Sequence, residues 1–168
     1  MKSVLEDFII DIARPYLEHI FQNLYASSLN LDFDSVFKRI KDFDSFKIEY
    51  VSFTLLRTNL LYENYIYEVY AYDKEWYLNG FTKIAELDVS SIFGWIDEAR
   101  EHLTKESKRY LGKINSSDIT NIISKSLNDF ESFFIESFYD YNMDRSHSFI
   151  IYTGELHGEL QILCDGEI

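Results

Sequence analysis

One cysteine, one proline and six glycines are all that this 168-residue chain has of those residues. Each shortage excludes something. With Cys164 alone, no intrachain disulfide can form, which points to a reducing compartment. None of the six glycines stands in a Gly-x-Gly-x-x-Gly or Walker arrangement, so the loops that cradle nucleotide phosphates are missing. No Gly-x-Ser-x-Gly elbow occurs. No uninterrupted apolar run approaches the roughly 18 residues of a membrane span. Near the N-terminus, Glu6, Asp7 and Asp11 interrupt what an export signal would need as its apolar centre. The expectation is a cytoplasmic protein with no membrane partner.

Basic residues are also scarce. Sixteen Lys and Arg face 29 Asp and Glu, giving a net charge of −13. The excess is uneven. From Asp129 to Ile168 there are nine acids and one base, Arg145, whereas Lys38–Asn128 is nearly balanced. A field of that sign repels phosphate backbones and anionic lipid, so nucleic acid is excluded as a direct partner. It attracts a basic one. The simplest reading of such a charge run is still a solvated surface.

Metal and nucleophile signals are thin. His19, His102, His147 and His157 are the only histidines, and His-Glu-x-x-His is absent. Glu155, His157 and Glu159 would share one face of a strand, a geometry open to a carboxylate–imidazole site. A solvated polar face explains them more simply, and no metal or cofactor is expected. Cys164 alternates with apolar residues, as a small core filler does. With 29 acids, a carboxylate pair carries no information. Nothing names a reaction, and the chain is not expected to be an enzyme.

What the chain has in abundance is aromatic rings: 13 Tyr and 14 Phe, with 17% Phe, Trp and Tyr overall. They are densest in Phe46–Leu78. β-Branched and aromatic residues fit a pleated, half-buried surface, so strands are expected over about 46–58, 63–72 and 75–83. Asp73-Lys74 is read as a two-residue turn. It would place Ala71 opposite Trp76, Tyr70 opposite Tyr77 and Val69 opposite Leu78. The link 58–64 has no Gly, so its geometry stays open.

Helices flank this region. Leu5, Phe8, Ile9, Ile12, Tyr16, Ile20 and Leu24 recur at helical steps over 4–27. Pro15 predicts a kink, or two helices with Pro15 in the first turn of the second. Asp34 or Ser35 would cap a short helix over 36–42, with Phe37 and Ile40 inward. A helical block starts near Ser90 with Ile92, Trp95, Ile96, Ala99 and Leu103 inward, stopping near Gly112. Another runs from after Ser116 or Ser117 to about Tyr139 on the stripe Ile119, Ile123, Leu127, Phe130, Phe134 and Phe138. Phe133 and Tyr139 fall partly outside that stripe. Strands are expected again over 148–153 and 155–164. Their turn is at Thr153-Gly154 or nearer His157-Gly158. In the second, Leu156, Leu160, Ile162 and Cys164 form one side. The expected fold is α+β: a single domain over residues 1–168, an antiparallel β-sheet of about five strands with helices packed on one face.

A small acidic α+β chain with a Tyr/Trp-rich sheet over Tyr65–Leu78 and an acidic stretch Asp129–Ile168 resembles the immunity proteins of bacterial polymorphic and contact-dependent toxin systems. That resemblance implies a stoichiometric inhibitor that neutralises one cognate basic toxin domain, often a nuclease. A nuclease is basic where it meets phosphate, and an acidic face speeds and sharpens its capture. The candidate partner-binding residues are Asp140, Tyr141, Asp144, Glu155, His157, Glu159, Asp165 and Glu167. A second class is an enzyme or small-molecule binder with a pocket between sheet and helices, built on Glu68 or Glu49 with a tyrosine. A third is a subunit of a larger assembly, such as a homodimer through a sheet edge or the helix face around Phe133.

Overall fold

A computed structural model describes residues 3–43, 48–76, 80–141, 149–155 and 159–165, without the side chains of Leu61 and Glu155. In chain order its elements are helix α1 (Val4–Phe8), a π-helical turn (Ile9–Ala13), α2 (Arg14–Tyr25), α3 (Phe33–Asp42), strand β1 (Tyr50–Leu55), α4 (Arg57–Leu61), β2 (Ile66–Tyr72) and β3 (Thr82–Asp88). Then come α5 (Ser90–Phe93), α6 (Trp95–Ser107), a 3₁₀ turn (Lys108–Tyr110), α7 (Ser116–Asp140), β4 (Ile150–Glu155) and β5 (Leu160–Cys164). The chain divides into two compact units: a helical one, Met1–Leu29 with Ile92–Phe134, and a sheet unit, Asn30–Ser91 with Ile135–Ile168. None of the helices among the described residues is long and apolar enough to cross a membrane.

The helical unit opens on a capping box. Ser3 Oγ accepts from the Glu6 N–H at 3.1 Å, and Glu6 Oε2 accepts from the Ser3 N–H at 2.7 Å. Two donors that a helix start leaves orphaned are thereby satisfied. Pro15 then divides the pattern as expected, in the first turn of α2. Its ring clashes with the carbonyl four residues back in a regular helix. The chain responds before the proline with a π-helical turn, in which the Arg14 N–H bonds the Ile9 carbonyl five residues back. The inward stripes of α6 and of α7 up to Phe134 are buried where the periodicity placed them. Phe21 packs on Phe130 and Phe133, with ring centroids 5.6 and 4.9 Å apart. Phe133 therefore widens the buried face of α7 rather than standing off it. Between the 3₁₀ turn and α7, Leu111 and Gly112 take left-handed backbone angles, φ 53° and 76°. Gly adopts that region freely, and the helix stops there.

The sheet unit carries the order β3-β2-β1-β4-β5. Its sheet is mixed, not purely antiparallel. β1 pairs antiparallel with β2, but β4 runs parallel beside it, Tyr50 opposite Ile150 and Leu55 opposite Glu155. Parallel neighbours need a long crossover connection, and the chain between β1 and β4 is long enough to provide one. Val51, Phe53, Tyr67, Val69, Ala85, Leu87 and Ile151 are buried on one face. Phe33 and Phe37 of α3 and Phe138 of α7 pack edge-on or tilted against Phe53 there, with ring centroids 6.0–6.3 Å apart. Phe53 is 0% exposed. Burying a ring of that size stabilises the fold by roughly 1.5–3 kcal/mol.

Three local expectations are corrected, and the open geometry of the link 58–64 is defined. The helix expected over 36–42 starts earlier, at Phe33, because Asp32, not Asp34 or Ser35, is the cap and accepts from the Ser35 N–H at 3.1 Å. The link 58–64 turns through α4 and a left-handed Glu63, φ 60°. Asp73-Lys74 is not a two-residue hairpin turn. β3 begins only at Thr82, so Ala71 faces Thr82, Tyr70 faces Lys83 and Val69 faces Ala85. Trp76 lies outside the strands, and Tyr77 and Leu78 lie outside the described residues. Finally, the clean alternation in 155–164 fails. Gly154 is inside β4, opposite Leu160, so the turn is not at Thr153-Gly154. The register of β4 with β5 slips by one residue, from Ile151–Cys164 to Tyr152–Ile162. That bulge turns Leu163 inward and leaves Ile162 52% exposed.

Candidate functional site

Alternation along β1 and β2 gives the sheet a second face, opposite the one the phenylalanines cover. Tyr50, Ser52 and Thr54 follow one another along β1, and their β2 partners are Tyr72, Tyr70 and Glu68. Three bands result: aromatic, hydroxyl and charged.

The aromatic band is completed from outside the sheet. Asp73 Oδ1 accepts from the Glu75 N–H at 2.8 Å, and the Trp76 N–H donates to the Asp73 carbonyl at 3.1 Å. An aspartate side chain that folds back this way makes a tight turn by itself. Trp76 leaves it with φ 53°. Its indole lies flat on Tyr72 (4.9 Å between centroids, 12° between planes) and edge-on to Tyr50 at 4.4 Å and Tyr152 at 5.1 Å. Tyr50, Trp76 and Tyr152 are half-buried and Tyr72 is buried. Burial, the neighbouring Tyr50 and the charge of Asp165 all push the Tyr152 phenol above its ordinary value.

In the hydroxyl band, Ser52 Oγ and Thr54 Oγ1 are 3.1 Å apart, and Ser52 Oγ donates to Tyr72 Oη at 3.3 Å. Ser52 and Thr54 are only 2% and 3% exposed. Buried hydroxyls are costly unless hydrogen-bonded, and these bond one another.

In the charged band, Tyr70 Oη donates to Glu68 Oε2 at 2.5 Å and Lys83 Nζ to Glu68 Oε1 at 2.6 Å. Lys83 also meets Glu86 at 2.7 Å. Burial pushes the Glu68 carboxyl up. The hydrogen bonds from Lys83 and Tyr70 and the Lys83 charge outweigh it and hold the carboxyl below its ordinary value. Burial and the bond to Glu68 push the Tyr70 phenol up to about 12. Bonds to Glu68 and Glu86 raise the Lys83 ammonium despite partial burial. Glu68 with a tyrosine was one expected core of a pocket between sheet and helices. The pair exists, but on the opposite face, and its carboxylate is ionised and committed to Lys83.

The residues expected at a partner-binding surface are dispersed. Asp140 is exposed at the end of α7. Tyr141 follows it, half-buried, with its ring parallel to Phe37 at 5.6 Å and its hydroxyl donating to Asp34 at 2.6 Å. Burial and Asp34 push that phenol up to about 12. Glu159 and Asp165 are exposed at either end of β5. Asp165 acts on Tyr152, on the aromatic face, whereas Tyr141 packs among the phenylalanines on the helix side. The structure does not bring those two together. Asp144, His157 and Glu167, and the side chain of Glu155, lie outside the described residues. Among the described residues no group of three or more His, Cys, Asp and Glu is placed to hold a metal ion.

Sequence reasoning missed the cluster of Trp76 with Tyr50, Tyr72 and Tyr152. Its signal was present in part: Tyr50-x-Ser52-x-Thr54 and Glu68-x-Tyr70-x-Tyr72 each alternate with apolar residues. What joins them to Tyr152 is the parallel pairing of β1 with β4. No protein-family profile, curated protein or solved structure matches the chain.

Proposed function

We propose that this protein is an immunity-type inhibitor. It binds a cognate bacterial toxin domain one to one, most readily a basic nuclease, and neutralises it. The observation that carries this reading is the Trp76 cluster with Asp165 beside it. Half-buried Tyr and Trp rings with polar tips are the residues most enriched where interfaces carry their energy. An acidic edge adds steering toward a positively charged partner. The anchor is thus the aromatic sheet face, with Asp165 at its acidic edge. The recess beside Tyr72 and Phe81 has about 190 Å³, small against the roughly 300 Å³ at which ligand pockets begin.

The test is calorimetric titration, at low salt, of the basic toxin domain encoded beside this protein, together with a toxin activity assay. Wild type is expected to bind with unit stoichiometry and to abolish the activity. Trp76→Ala should weaken binding by about 2 kcal/mol or more, in dissociation rate. Asp165→Lys should slow association and reduce its salt dependence. No binding, or binding indifferent to Trp76→Ala in a folded variant, removes the reading.

A further inference from the structure

The helical unit holds a groove of about 710 Å³ between the π-helical turn with α2 on one side and α7 on the other. Its apolar lining includes Leu17 and Phe21 from α2 and Ile122 and Phe130 from α7. Its lips carry four charges: Arg14 and Glu18 on α2, Lys125 and Asp129 on α7. Nothing in the sheet-face reading uses these residues.

We propose that this groove is a second docking site and that its occupant is an amphipathic α-helix of a partner protein, with an apolar stripe between flanks of mixed charge. Three observations select that occupant. The first is length. The lining runs along α2 from Arg14 to Gln22 and along α7 from Ile122 to Ser132. At 1.5 Å per residue the trough is about 12–15 Å long, two to three helical turns. The second is spacing. Each lip pairs a base with an acid four residues later, Arg14 with Glu18 and Lys125 with Asp129. Residues four apart on a docked helix lie one turn apart and meet charges spaced the same way. The third is availability. Arg100 and Arg109 are paired with Asp97 and Glu106, each three residues earlier in the chain. The four lip charges are exposed, and none makes an ion pair among the described residues. Two bases and two acids sum to zero, so the site selects a helix of mixed charge rather than a purely basic or acidic one. It is therefore a different specificity from the acidic rim of the sheet face.

The experiment uses the full chain and three fluorescent synthetic helices of roughly 18 residues, long enough to hold helical structure. All carry Leu at i, i+3, i+4 and i+7. Their flanks are alternating Glu and Lys, all Glu, or all Lys. Fluorescence anisotropy is expected to show micromolar binding of the mixed peptide and at least about tenfold weaker binding of the other two. The variant Arg14→Glu with Lys125→Glu makes both lips acidic on exposed residues, so its circular dichroism should be unchanged. In it, the all-Lys peptide should become the best ligand. If no peptide binds wild type, or if the order of the three is the same in the variant, the proposal is wrong. If an apolar dye fills the groove and none of the peptides displaces it, the site takes a small molecule and the proposal fails. A wild-type dimer in light scattering that dissolves in the variant likewise overturns it, by assigning the groove to a second copy.

Discussion

Alkaline pH should destabilise this protein through Tyr70. Its ring is 8% exposed, and its hydroxyl donates to Glu68 Oε2 at 2.5 Å. Losing that proton would set a phenolate against a carboxylate in a poorly hydrated place. Burial and the hydrogen bond therefore push the phenol from 10.0 up to about 12. The sign follows from proton counting. Between those values the unfolded chain has released the proton and the folded one has kept it. The unfolded state binds fewer protons, so stability falls as pH rises. The contribution is fully present below pH 10 and gone above about pH 12. At 1.36 kcal/mol per unit its ceiling is about 3 kcal/mol, and solvent at the edge of the site lowers it. Tyr70→Phe should lose about 1.5–3 kcal/mol at neutral pH, the range of a hydrogen bond to a charged group. Its alkaline limb should then be flatter than that of wild type. The assay is the urea midpoint by circular dichroism from about pH 8 to about pH 12, at constant denaturant slope. Tyr141→Phe is the comparison, because Asp34 raises that phenol on the other side of the sheet. Parallel alkaline limbs for wild type and Tyr70→Phe would show that Tyr70 is not held as described.

Gly154→Ala should lower stability by about 1–3 kcal/mol, because a Cβ there collides with the Glu159 carbonyl and crowds Leu160. Hydrogen exchange should rise first on β5. Phe53→Ala removes a ring that is 0% exposed and touched by three phenylalanines, and thermal unfolding should report a loss of about 3–5 kcal/mol. Lys83→Met takes away the donor that holds the Glu68 carboxyl low. That carboxyl should titrate at higher pH by carbon-detected NMR. Glu68 contributes stability above its ordinary value of 4.5 that is lost as pH falls, and the variant should show less of that acid limb.

The long helices were legible in the sequence, but α4 was not, and α3 begins three residues earlier than its pattern implied. Pro15 announced its own break, and only the π-helical turn that absorbs it was unforeseen. The stripes of α6 and α7 hold because a repeat near 3.6 residues is complete within one element. The cap at Asp32 was misplaced by two or three residues because several polar residues stand together and only the backbone selects among them. Strand content was legible too, as aromatic and β-branched density. Strand partners were not. Trp76 reads as a strand residue by composition, yet it lies over Tyr72 because Asp73 turns the chain first. Ile162 reads as one of the apolar side of its strand by alternation, yet it is exposed and Leu163 is buried instead. The acidic residues chosen for a partner surface were selected by proximity in sequence, and Tyr141 and Asp165 show how little that says about proximity in space.

By itself the sequence determined the class of the fold, the inward faces of α6 and α7, the aromatic richness of the strands and the acidic balance of the final quarter. All of these are sums or periods over neighbouring residues. Only the tertiary structure decided that β4 runs parallel to β1, that Trp76 joins Tyr50, Tyr72 and Tyr152 in one cluster, and that Glu68 is spent on Lys83. Those outcomes depend on contacts between residues far apart in the chain. Their energies are set by how surfaces pack and by which polar groups lose water together, and no local pattern encodes either.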